Sequence, residues 1–127
     1  MLTAGVNKGL KMSTENIQLQ VKRGDSKSYA LKFRTTDGVY VDITGWIIFF
    51  TVKENACQVD DDAIIQKDVI VHSNPTEGET NIELTPTDTD HTGNYVFDIQ
   101  YKTNNGAVKT IIEGVITFEE DITRRTA

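Results

Sequence analysis

The sequence predicts an all-β fold, a sandwich of antiparallel sheets with about seven strands, and three observations carry that prediction. From Ile17 onward apolar and polar residues alternate with period two, which buries one face of a strand and wets the other. The alternating runs recur at roughly ten-residue spacing, the rhythm of a sandwich or barrel rather than of a helix-covered parallel sheet. Turn residues such as Asp37-Gly38, Asn74-Pro75 and Asn105-Gly106 separate the runs.

The first strand sets Ile17, Leu19 and Val21 against Gln18, Gln20 and Lys22, and it closes on the turn Arg23-Gly24-Asp25. That tripeptide also spells an integrin-type motif, but Gly and Asp are what a turn needs at those positions. The second strand alternates Tyr29, Leu31 and Phe33 with Ala30, Lys32 and Arg34. A short extended piece, Val39 to Ile43, leads through Thr44-Gly45 into the third strand, Trp46 to Lys53. Both faces of this strand are apolar: Trp46, Ile48, Phe50 and Val52 fill one side, Ile47 and Phe49 the other. It is therefore expected to be covered on both sides or to meet a partner.

The fourth run, Ala63 to His72, carries Ala63, Ile65, Val69 and Val71 on one parity, interrupted by Lys67, and is expected to be a bulged strand. Thr80, Ile82 and Leu84 form the fifth strand. The polar connection Pro86 to Asn94 shows no alternation, and beyond it Tyr95, Phe97, Ile99 and Tyr101 share one face of the sixth. Asn105-Gly106 then turns the chain into the seventh, Val108 to Phe118, where Gly114 is expected to mark a bulge or bend.

A tryptophan strand in the first half and a tyrosine after a polar corner in the second match the layout of an immunoglobulin-like antiparallel β-sandwich. In that layout the corner tyrosine bonds back to nearby backbone, and Asp90-x-x-Gly93-x-Tyr95 fits it. Cys57 is the single cysteine, so the fold has no intrachain disulfide and packing must replace it. The thiol is expected to be reduced and to pack as a small hydrophobe. The domain boundaries follow: residues 1–16 an N-terminal arm or extension, 17–123 the sandwich, 124–127 a C-terminal tail. Met12-Ser13-Thr14-Glu15 reads like a start, so Met1 to Lys11 is either an upstream extension or a segment ordered by contact with a neighbour.

With 13 basic and 19 acidic residues the formal net charge is −6, a surface that repels phosphate backbones and disfavours nucleic acid as partner. The longest apolar run, Trp46 to Phe50, is far below the roughly 18 residues of a spanning helix, so no membrane insertion is expected, nor a secretory signal. No Gly-x-Ser-x-Gly elbow, Walker loop, His-Glu-x-x-His or zinc-spaced cluster occurs. The acidic groups Asp60-Asp61-Asp62 with Asp68, and Asp88 with Asp90, lack the spacing of a calcium loop and are expected to be solvated loops. Among 19 acidic residues some pair always exists, which says little for glycoside hydrolysis. No enzyme, cofactor or metal site is expected.

Several segments carry a resemblance to a known family: Val21-Lys22-Arg23-Gly24-Asp25, Val41-Asp42-Ile43-Thr44-Gly45-Trp46 through Lys53, Asp62 to Asp68, Leu84 to Thr89, Gly93 to Gln100 and Gly114 to Thr123. Together, over about Ile17 to Thr123, they resemble the immunoglobulin-like N-terminal domain of tailed-phage baseplate upper proteins and related phage structural proteins. The resemblance implies a virion structural or accessory protein that docks onto other phage structural proteins in several copies, assembled in the host cytoplasm. Those relatives continue into coiled-coil or receptor-binding regions, whereas this chain ends at Ala127, so a stand-alone head, neck or baseplate accessory protein is expected rather than a fibre shaft. The candidate interface is the second face of the tryptophan strand, Ile47 and Phe49, with Ile111 and Val115 of the last strand. The alternative is a carbohydrate-binding or cell-surface adhesion module in which exposed Tyr40 or Tyr101 stacks on sugar rings.

Overall fold

The computed structural model describes residues 2–6, 15–35, 37–55 and 63–120. The seven alternating runs each contain a strand, β2 (Glu15–Lys22), β3 (Lys27–Thr35), β4 (Ile47–Lys53), β5 (Ile65–Val69), β6 (Glu79–Leu84), β7 (Gly93–Lys102) and β8 (Val108–Glu119), although β5 is shorter than the expected run Ala63 to His72 and pairs with β4 without a bulge. An additional strand, β1 (Leu2–Val6), lies within the segment read as an arm. The extended piece Val39 to Ile43 forms no strand and makes one isolated bridge, Tyr40 to Arg34. Cys57, Asp60 to Asp62 and the tail 124–127 lie outside the described residues.

The strands make two sheets, β1-β3-β6 and β2-β8-β7-β4-β5. Two edge pairings, β1 with β3 and β2 with β8, are parallel, and the others are antiparallel. The chain places β1 and β2 in opposite sheets, so each runs beside a strand that is not its hairpin neighbour. Inward-facing Leu31, Phe33, Ile82 and Leu84 of the smaller sheet meet Ile48, Phe50, Val52, Phe97, Ile99, Ile116 and Phe118 of the larger. Each such side chain contributes roughly 1.5–3 kcal/mol when buried. At one end Trp46 stacks on Tyr101 with centroids 4.6 Å apart, and Phe33 packs nearly perpendicular to both rings.

Polar ties join the two sheets around this core. His72 Nε2 donates to the Trp46 carbonyl, which can only accept, at 2.7 Å, and Nδ1 is hydrogen-bonded to the buried Thr80 hydroxyl at 2.9 Å. Lys67 interrupts the apolar parity of β5 because its ammonium reaches Asp88 in the connection after β6, at 2.7 Å. The expected tyrosine corner is present, with Tyr95 Oη donating to the Thr92 carbonyl at 3.0 Å. The buried Thr89 fastens the same corner to the turn after β2: its hydroxyl donates to Asp25 O at 2.8 Å and its carbonyl accepts from Gly24 N–H at 3.2 Å.

The irregularity of β8 falls elsewhere than Gly114. Ile99 pairs with Ile112 but Gln100 with Thr110, so Ile111 is the extra residue of the bulge. Gly114 instead permits a close backbone approach, because a Cβ there would run into the Ile17 carbonyl of β2.

Candidate functional site

The outer face of the five-stranded sheet is built from residues that alternate with the core. Ile48, Phe50 and Val52 point inward, so Ile47, Phe49, Thr51 and Lys53 of β4 point outward, the first two half-buried. The same alternation turns Val96, Asp98 and Gln100 of β7 and Glu113 and Val115 of β8 to this face. The register lays them in rows. Phe49 stands beside Gln100, which faces Thr110 and donates to its hydroxyl at 3.1 Å. Thr51 stands beside Asp98, which faces Glu113. Lys53 stands beside Val96, which faces Val115. A shallow groove of about 380 Å³ runs along the Thr51, Asp98 and Glu113 row.

The four residues singled out from sequence do not form one patch. Ile47 and Phe49 sit together at one end of β4, while Val115, 36% exposed, sits on the same face two strands away beside Val96. The row of Thr51, Asp98 and Glu113 lies between them. Ile111 is 1% exposed and belongs to the core, because the bulge turns both it and Ile112 inward. Tyr101, expected as an exposed stacking surface, is 8% exposed and already stacked on Trp46, so it has no face for a sugar. Tyr40 is exposed, and the Arg34 guanidinium lies 4.3 Å from its ring centroid.

A second surface was missed in sequence. β5 ends at Val69, so Ile70 and Val71, expected within the strand, stand 66% and 82% exposed at the open edge of the larger sheet. The staple made by the next residue, His72, fixes where they emerge. The signal available was Lys67: a charged residue on the buried parity weakens the case for a long strand. The acidic residues of the corner are occupied by cations of the chain itself, Asp88 by Lys67 at 2.7 Å and Asp90 by Arg23 at 3.9 Å. Among the described residues no three His, Cys, Asp or Glu side chains come close enough to hold a metal ion.

Comparison with known proteins gives the family. The family described as the BppU N-terminal domain, the N-terminal domain of baseplate upper protein, matches residues 4–120. The chain belongs to this family. As a baseplate upper protein domain it has a structural role in a phage baseplate, with other phage structural proteins as its neighbours and the virion as its place. The fold agrees with a solved structure, the N-terminal domain of phage TP901-1 ORF48, at 11% identity and a TM-score of 0.51, covering 93% of this chain and 97% of that one. A search of curated proteins found no match.

Proposed function

We propose that this baseplate domain is a non-catalytic docking module that binds other virion proteins through the outer face of its five-stranded sheet, in several copies and without nucleic acid. The observation that carries the reading is the half-buried pair Ile47 and Phe49 on a face whose opposite side is already filled by the core. Large apolar side chains left on a sheet face of a structural protein are the usual nucleus of an interface, and the polar groove beside them supplies a rim. The acidic net charge of −6 favours protein over nucleic-acid neighbours.

The test is incorporation. Ile47→Asp and Phe49→Asp each put a carboxylate on the outer face and leave the inward row untouched. Both variants are expected to keep the circular dichroism and melting curve of the parent while losing co-purification with tail or baseplate particles. Undiminished incorporation of both would refute the docking face, and unfolding of both would assign the pair to the core.

A further inference from the structure

The strand order leaves β5 at the end of the five-stranded sheet, and among the described residues no strand pairs with its side away from β4. Natural edges are commonly guarded by a lysine in the middle of the strand. β5 has one, Lys67, but its ammonium is turned onto Asp88 at 2.7 Å, and two of the most exposed apolar residues, Ile70 and Val71, follow directly. The lysine is therefore not free to guard the edge.

The sequence around Lys67 reads nearly the same in both directions: Ile64 and Ile65, then Gln66, on one side; Asp68, then Val69 and Ile70, on the other. In a two-fold interface residue i must suit residue j and j must suit i, and this near-palindrome meets that condition by setting apolar opposite apolar and polar opposite polar. From it we infer that β5 is a homotypic edge: a second copy of this chain adds its own β5 antiparallel about a two-fold axis at Lys67, joining two five-stranded sheets into one. In that register Ile65 faces Val69 of the second copy and Ile64 faces Ile70, pairs of β-branched side chains on matching faces. Gln66 faces Asp68, an amide donor opposite a carboxylate. The two Lys67 side chains meet at the axis, and each carries its own counter-charge in Asp88.

This surface is distinct from the outer face and does not depend on it. Pairing across β5 places two outer faces side by side in one continuous sheet. The contact is small, so it forms a weak dimer in free solution and gains from neighbouring copies held at high local concentration.

Sedimentation of the purified chain over a concentration series tests the association. Dimer is expected to grow towards the millimolar range, and Ile70→Asp, at a side chain 66% exposed, is expected to weaken it by about tenfold or more at unchanged melting temperature. Register is read by oxidative cross-linking in a Cys57→Ser background. Mixed Gln66→Cys and Asp68→Cys chains should form a disulfide-linked heterodimer, since directly opposed residues lie within disulfide reach, while neither chain alone should link to itself. A monomer at every concentration, a dimer indifferent to Ile70→Asp, or self-linking of either single-cysteine chain each overturns the proposal.

Discussion

Asp88 shows how one side chain answers to several neighbours. Burial pushes its carboxyl up, but the Lys67 ammonium and the Thr85 backbone N–H and hydroxyl outweigh burial and hold it below the usual carboxylate range. A carboxyl whose pKa is lower folded than unfolded adds stability above its unfolded value of about 3.9, and that stability disappears as the pH falls through the folded value. Asp88→Asn is therefore expected to unfold at lower denaturant than the parent at pH 7, with the gap closing below about pH 4. Denaturant midpoints measured across that range check this, and a gap independent of pH would count against it. Other residues could be assigned from sequence alone. Tyr95 was legible because a corner tyrosine has a fixed local partner, here the Thr92 carbonyl. Ile111 was not, since its burial depends on a bulge opposite Ile99 and Gln100 that no local pattern encodes.

At the level of elements, strand positions were legible and their edges were not. Period two identifies β2 to β8 because each keeps one dry face, whereas β1 has too short a run to declare itself. Where β5 stops is decided by His72, which binds Trp46 O and Thr80 across the sandwich, a tertiary event invisible in the run Ala63 to His72. The candidate interface failed as a single patch for a related reason: parity tells which residues share a face, but only the register shows that Thr51, Asp98 and Glu113 separate Phe49 from Val115. Register also fixes the role of Gly114. Ala at this position would drive a methyl group into the Ile17 backbone, which cannot yield without moving β2 off β8. Gly114→Ala is expected to destabilise the domain by about 1–3 kcal/mol, as overpacking does, and to lose hydrogen-exchange protection first along β2. Retained protection at Leu19 and Val21 would show that the approach is looser than described.

Across the whole molecule, two sheets without a disulfide are held by a shared apolar core and by a few polar ties at its margins, His72, Lys67 with Asp88, and Thr89. The core depends on β8, which lies between β7 and β2 and supplies Ile112, Ile116 and Phe118. A chain truncated after Lys102 keeps every strand of the smaller sheet but is expected to lose its cooperative thermal transition. Near-parental melting of that truncation would mean the remaining strands suffice.

The parallel pairing of β2 with β8 joins Glu15 to Ile112 and Lys22 to Glu119, so one of the earliest strands made waits for the last. Synthesis proceeds from the N-terminus at about 5–20 residues per second, and contacts this distant in sequence form late. During that interval Ile17, Leu19 and Val21 have no sheet to enter, and the outer face has no β8 to complete it. The outer face proposed above for docking is therefore complete only once translation has passed Glu119.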